Sequence, residues 1–587
     1  MSEATRLRRP AAWAAAALVA LAALPAGCGR DDDERAQSAF ARQVDLAPLR
    51  VIAVQDTGRI KSLETFARRV MQDISGPRRV AGQPPALTCL DMLFRPEQYL
   101  DEDLIYVKKK PIRQALATAV SAATGVDAER LARIRETGLI SRRLLGEPGA
   151  VLLLNSLERD VRRTAGPVNA IRNAQSLAAA RALAFVLRIV PPPGGGPEDE
   201  WLPAELLAAD HDIPDDAAHA DVGRAAVSGL DAELSDELAD AWQSLTAAWQ
   251  RQDAAASSSA LARLAELLPR VNAAVYPDAR RLLWESWYFR TKNLTWVWVL
   301  YLLAIVPLLM SVIYRWTWAR AAGLGLFVVA FGLHTAALLL RWYLAQRWPN
   351  SNMFEAVTTA AWFGGAVALV LEGLVRRTAV RNLFALGSAA ASMAAMMAAY
   401  YLPVQLNAHI GNRMPILHDI WLYIHTNVII ASYCLIAMAG ASALLYLAYR
   451  LLGGSAAVAT AGGAGALILA AGPADSFLKQ EPSRTTAGQV LDAATLVLME
   501  LAFVLLWAGI VMGAIWADHS WGRPWGWDPK EVFALNTFIV FLLLVHIRLK
   551  VRDKGLWTAV LAVAGCAVML FNWIVVNFVI TGLHSYA

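Results

Sequence analysis

The sequence predicts an all-α polytopic membrane protein: about eight transmembrane helices, preceded by a signal or anchor and a mostly helical extracytoplasmic domain. Three observations carry this. Of 587 residues, 57% are hydrophobic and only 18% charged, against roughly 45–50% and 25% in soluble domains. Eight apolar stretches, near 294–314, 321–344, 356–375, 382–403, 421–449, 490–516, 531–551 and 556–580, are each long enough to cross a hydrocarbon core of roughly 30 Å at 1.5 Å per residue. Basic residues gather in alternate connections. This composition excludes a soluble enzyme, a disordered chain and a collagen-like fibre. The net charge of +5 lies in short loops and implies no nucleic-acid partner. Four cysteines, Cys28, Cys89, Cys434 and Cys566, form no CxxC pair, so neither a disulfide framework nor a zinc site is expected.

Residues 1–30 have arginines at 6, 8 and 9, an apolar stretch from Ala11 to Ala26, and then Gly27-Cys28. That is the plan of an export signal. The segment reads equally as a signal peptide, as a lipoprotein-like anchor ending at Cys28, or as an uncleaved signal anchor. Residues 31–290 form the extracytoplasmic domain. Val51–Ile60 alternates like a strand and turns at Thr57-Gly58, and helical spacing takes over at Leu63. The run Pro191–Pro197 (PPPGGGP) is a linker or exposed loop. His211 and His219 lie in a solvated Asp/Ala run. Residues 291–587 form the transmembrane domain. The short apolar segment Val458–Gly472 is rich in Gly and Ala and is assigned to a loop.

Orientation follows from the loops. Arg315–Arg320, Arg376–Arg381, Arg450 and Arg548–Lys554 fall on one side of an eight-span chain, and the positive-inside rule makes that side cytoplasmic. Residues 31–293, the loops at 345–355, 404–420 and 517–530, and the C-terminus then lie outside, in agreement with the export signal.

The most informative stretch is 516–531, WADHSWGRPWGWDPKE. It ends in a helix start, with Asp528 as N-cap, Pro529 in the first helical position and Glu531 as the capping-box acid. Before it, Trp516, Trp521, Trp525 and Trp527 crowd together, with Gly522 and Gly526 between them. Tryptophan favours membrane interfaces, but belt tryptophans are scattered. A clustered, capped platform suits a flat apolar ligand.

This stretch resembles the tryptophan-rich WWD domain of haem-handling proteins, in the form found in the CcsA (ResC) family of System II cytochrome c biogenesis. Ser351–Ala356 (SNMFEA) resembles that family's NMYES segment, with Asn352 as N-cap and Glu355 three residues on. His546-Ile-Arg548 resembles its LHxR, and Gly582–Tyr586 its GLHSY ending. The resemblance covers about 294–587. No portion like the family's partner CcsB (ResB) is recognisable.

The resemblance implies haem b as a transported ligand, with His425 and His584 as external axial ligands to the iron. Both histidines belong at the depth of the tryptophans, and Trp516, Trp521, Trp525, Trp527 and Asp528 would form the platform. His546 lies about 15 residues below the outer end of its span, roughly 22 Å inward, where an unpartnered polar ring is costly. It would be an intramembrane haem ligand. His334, roughly 16 Å from the outer end of the second span, is better read as structural or on the haem route than as a ligand. His409 and His418 are assigned to loop surface, and His519 matches no motif. Arg413, Arg523 and Lys530 are outer cations suited either to propionates or to lipid headgroups.

The expected function is haem delivery and covalent haem attachment to apocytochrome c CxxCH segments, at a bacterial cytoplasmic (inner) membrane. A CcsB-like membrane protein is the expected partner, with thiol-reducing proteins as accessories. No residue has a classical acid–base catalytic role. The alternatives are a haem exporter or carrier without catalysis, a CcmF-type haem lyase, and an electron-transfer protein with permanent haem. The WDPKE form and the GLHSY ending favour CcsA.

Overall fold

The computed structural model describes residues 39–77, 80–123, 125–160, 163–207, 231–314, 316–375, 381–411, 419–453, 487–547, 550–576 and 580. The chain divides into two compact units, Met1–Asp56 with Ile60–Leu282, and Thr57–Arg59 with Leu283–Ala587. Residues 1–38, His211, His219, Arg413, His418, Val458–Gly472 and His584 lie outside the described residues.

The first unit is mostly helical, as expected, with two small sheets among the described residues. Strands β1 (Ala53–Asp56), β2 (Arg59–Ser62), β5 (Arg188–Val190) and β6 (Leu202–Pro203) form one sheet in the order β2-β1-β5-β6, and β3 (Asp103–Tyr106) pairs with β4 (Leu139–Ser141). The turn at Thr57-Gly58 has positive φ at both residues, the backbone that a tight hairpin needs. Helix Leu63–Ser75 starts where the spacing changes, and the Ser62 hydroxyl accepts from the Thr65 amide at 3.2 Å. Its apolar face (Phe66, Val70, Ile74) enters a core with Leu90, Ile105 and Trp249. The other strands are two to four residues long, too short for an alternating pattern to stand out from helical spacing.

Among the described residues the second unit carries, after a helix at Ala279–Arg290 that enters it, eight further helices, labelled here α1 (Trp298–Tyr314), α2 (Thr317–Ala345), α3 (Met353–Val375), α4 (Leu383–Tyr401), α5 (Ile420–Leu451), α6 (Ala487–Trp521), α7 (Pro529–Ile547) and α8 (Lys554–Phe571). Seven helices among the described residues are long and apolar enough to cross a membrane. The eighth expected span, 531–551, forms α7, a 19-residue helix that opens on Pro529, Lys530 and Glu531. Helices α1–α4 pack on one another, as do α5–α8, and the two groups meet mainly through α3 against α5. At one end Arg450 closes α5 onto α8 with two 2.8 Å bonds to Asp553, which also caps α8 through the Leu556 amide.

Half of the stretch expected as a loop at 517–530 is helix. Ala517-Asp-His-Ser continues α6 to Trp521, and Gly522, at φ 67, ends it by returning its amide to the Asp518 carbonyl at 2.8 Å. The true connection is 522–528. Trp516 and Trp521 therefore sit on a helix, not in a loop.

Candidate functional site

The two helix groups leave a cleft of about 690 Å³ between them, lined by α3–α8 and the connections at 350–352 and 524–525. It runs lengthwise. One end holds Asn350, Asn352, His425, Trp516, Trp525 and Lys530; the other holds Leu383, Phe384 and Leu445. Its charged or basic side chains, His425, Lys530 and Glu531, all stand at the tryptophan end.

His425 lies on α5, one turn from its start, where Asp419 caps the helix. Its Nδ1 is 2.7 Å from the Gly509 carbonyl on α6. A carbonyl only accepts, so Nδ1 carries the proton and Nε2 keeps its lone pair, the tautomer suited to ligating iron. The close seat depends on Gly513, one turn further along α6. A Cβ there would stand 2.7 Å from the His425 Cε1 and 2.8 Å from Nδ1.

The tryptophans divide into two sets. Trp516 and Trp525 line the cleft. Trp521 packs edge-on against Trp516, with ring centroids 4.9 Å apart. Trp527 is 73% exposed, with left-handed backbone at φ 55. Asp528 is buried and caps α7 by accepting from the Lys530 amide at 3.2 Å. Glu531 accepts from the Asp528 amide at 3.1 Å and the Gly526 amide at 2.9 Å. The expected capping box is present, and Asp528 acts as a helix cap with no place on the cleft lining. Trp573 joins the lining from a π-turn, Asn572–Val576, that closes α8. Such turns re-aim side chains, and sequence periodicity gave no sign of this one.

An ion cluster forms the corner beside the tryptophan end. Glu355 is fully buried and meets Arg341 at 2.8 Å and Arg347 at 2.9 Å. The Asn352 carboxamide accepts from the Glu355 amide at 2.9 Å, the expected cap. The arginines have donors to spare. Arg341 donates to the Ala408 and His409 carbonyls, Arg347 to that of Gly411, and Asn352 also donates to His409. The cluster thus fixes the backbone of 408–411 against the Asn350–Asn352 corner. Only Glu355 was singled out in the sequence, as a cap. The signal for Arg341 was an arginine inside an apolar helix.

Residues 350–584 match the family described as Cytochrome C assembly protein. The cytochrome c biogenesis protein CcsA of Synechococcus sp. (strain CC9902) is 31% identical over 266 residues, 44% of this chain and 85% of that protein. The CcsA of Microcystis aeruginosa is 32% identical over 307 residues, 46% of this chain and 91% of that protein. That of Synechocystis sp. is 29% identical over 319 residues, 49% and 93%. The chain belongs to the CcsA family of cytochrome c biogenesis proteins.

Like its CcsA relatives, this chain is a multi-pass membrane protein with a role in cytochrome c biogenesis. Of the expected haem-binding residues, the structure brings His425, Trp516 and Trp525 together, with Trp521 supporting them. His546 is exposed on α7 and off the cleft lining, with Nδ1 2.8 Å from the Leu542 carbonyl of its own helix. His334 is buried off the cleft, its Nδ1 3.2 Å from the Tyr301 hydroxyl. His519 pairs with Asp419 at 3.7 Å. Lys530 lines the cleft, whereas Arg523 is exposed.

Proposed function

We propose that this CcsA-family chain holds haem b at the tryptophan end of the cleft and presents it to the CxxCH segment of an apocytochrome c. The observation that carries this reading is His425, tautomer-locked by Gly509 and seated against Gly513 beside Trp516 and Trp525. The residues fit the group. The imidazole offers a nitrogen to iron, the indoles offer flat apolar surface, and Lys530 offers a cation to a propionate. His584 is the proposed second axial ligand.

The protein's part is positioning and exclusion of water. Each cysteine thiol adds across a vinyl double bond, sulfur to one carbon and hydrogen to the other. The addition needs no net electron transfer and no protein nucleophile. It does need both thiols reduced, hence the proposed thiol-reducing accessories. The client's own histidine replaces one axial imidazole. His546, facing away from the cleft, is proposed to hold haem within the membrane together with a CcsB-like partner. The tryptophan end, residues 31–293 and the C-terminus are proposed to face the outside of a bacterial cytoplasmic membrane, and the arginine-rich loops the inside.

The test is ligand exchange. His425→Gly and His584→Gly should each lose cytochrome c maturation and the outer-site haem spectrum, and recover both in part with added imidazole. His409→Gly should mature cytochrome c normally. His546→Gly should lower total haem more than it changes the outer-site spectrum. Unchanged spectra and maturation in both His425→Gly and His584→Gly would remove the ligand assignment. Co-expression with an apocytochrome then separates a synthase, which yields covalent product, from a carrier, which binds haem and yields none.

A further inference from the structure

Further along α5 from His425 the cleft wall turns apolar, with Ile429, Ile430, Cys434 and Met569 in its lining. Two polar side chains interrupt it. Tyr433 enters from α5 and Asn572 from the π-turn that closes α8. Asn572 is buried, and its carboxamide donates to the Tyr433 hydroxyl at 2.7 Å. That bond is the only side-chain hydrogen bond of either residue among the described residues. A hydroxyl and a carboxamide carry three donor hydrogens between them. Whichever way the carboxamide is turned, one is spent on the mutual bond and two remain.

Unspent donors in an apolar wall are costly, so the pair calls for a ligand group that accepts. Its position matches one. Tyr433 lies eight residues beyond His425 on the same helix, roughly 12 Å, a spacing that a propionate arm and the tyrosine side chain together bridge. The rings of Phe533 on α7 and Phe571 on α8 meet at 5.2 Å. Asn572, next to Phe571, therefore stands within about one turn, roughly 5 Å, of the depth of Lys530, which also lines the cleft. A cation on α7 and a donor pair on α8 thus lie at similar depth, as two propionates lie side by side on one edge of a haem.

We propose that Tyr433 and Asn572 are positioning residues that hold one propionate of the haem, with Lys530 at the other. This rests on the haem reading above and adds an orientation to it. The propionate edge faces inward along α7 and α8. The opposite edge, which carries a vinyl group, faces the tryptophan mouth, where the client thiols arrive.

The experiment titrates the full-length chain, freed of haem in neutral detergent, with haem and separately with haem dimethyl ester, which has no carboxylate. Wild type should bind haem more tightly than the ester. Asn572→Leu, close in size, should lose about tenfold in affinity for haem, the worth of a hydrogen bond to a charged group, and much less for the ester, whose neutral carbonyls accept weakly. Tyr433→Phe should move the same ratio by less, because Asn572 keeps its donors. Both variants should keep the wild-type spectrum of bound haem, which reports the His425 ligand. In both, matured cytochrome c per bound haem should fall, since the vinyl edge is no longer held outward. Equal losses for haem and ester in Asn572→Leu would make the pair a packing element and overturn the proposal, as would unchanged maturation per bound haem. In either case a haem spectrum that still depends on His425 leaves the haem reading standing. A wild-type chain that binds neither compound overturns both.

Discussion

Each unit of the chain buries an ion cluster, and the two are built differently. In the first unit Lys61, fully buried, meets Asp56 at 2.7 Å, and Arg69 meets Asp56 and Asp73, both at 2.7 Å. Two cations face two anions, and the charge closes on itself. In the membrane unit two arginines face one carboxylate, and the surplus donors go to the carbonyls of 408, 409 and 411. A closed cluster fixes the elements that carry it. An open one also fixes a neighbouring loop, and here that loop abuts the corner lining the cleft. Charge imbalance inside the membrane unit therefore has a local structural use.

The comparison breaks most directly at Glu355. Glu355→Gln leaves two buried guanidiniums without a counter-charge, and breaking a buried ion pair from one side costs about 3–5 kcal/mol. The expected outcome is loss of monodisperse protein on fluorescence-detected gel filtration. Arg341→Lys should rescue little, because an ammonium cannot span the carboxylate and two carbonyls at once. Wild-type yield from Glu355→Gln would show that the cluster is not held together by charge.

Lys61→Met is the matching change in the first unit. Asp56 keeps Arg69, so the cost should be smaller, about 1–3 kcal/mol. It should appear as faster protease cutting within 39–282 at moderate urea, with the haem spectrum unchanged. An altered haem spectrum would mean that the first unit takes part in the site.

How much of this was legible in the sequence depends on the range of the interaction. Signals carried by a few consecutive residues were readable: the hairpin at Thr57-Gly58, the Asn352 and Asp528 caps, and the apolar runs that became α1–α8. The pairing of β1 with β5 brings together residues more than a hundred positions apart, so no local pattern announces it. The tryptophans illustrate the limit. Their clustering was plain, but which of them face the cleft depends on where α6 ends. The spacing suggested a loop from 517, whereas the helix holds to Trp521 and only Gly522 stops it. The Arg341–Glu355–Arg347 cluster was missed because its partners lie on α2, α3 and their connection, and its purpose shows only once the 408–411 backbone is beside it.

Gly513→Ala probes the other support of the tryptophan end. The added methyl stands 2.7 Å from the His425 ring, closer than a stable contact allows, so the ring must turn. Changes in the shell that orients a metal ligand typically lower affinity about 10–100-fold. Haem titration of the purified protein should show a loss of that order with normal yield. Unchanged affinity would mean that the close seat on α6 does not set the ligand geometry.

The smallest expected effect on haem is at Trp527, and it separates inward from outward tryptophans. Trp525 lines the cleft and is half-buried, so Trp525→Ala removes apolar surface from the proposed haem site and should lower haem affinity about tenfold, the low end of the about 1.5–3 kcal/mol for burying a large side chain. Trp527 is its near neighbour, with centroids 6.1 Å apart at 87°, yet it is 73% exposed on left-handed backbone. A bulky residue rarely adopts that conformation, which persists only where the surroundings enforce it. The enforced result is an indole held outward beside the mouth, where an apocytochrome would approach. Trp527→Ala should therefore leave haem occupancy at wild type while lowering the yield of matured cytochrome c. Measuring both quantities on both variants decides the matter. Equal loss of haem from the two would place Trp527 in the haem site after all, and normal maturation by Trp527→Ala would leave its exposed ring without a client-facing role.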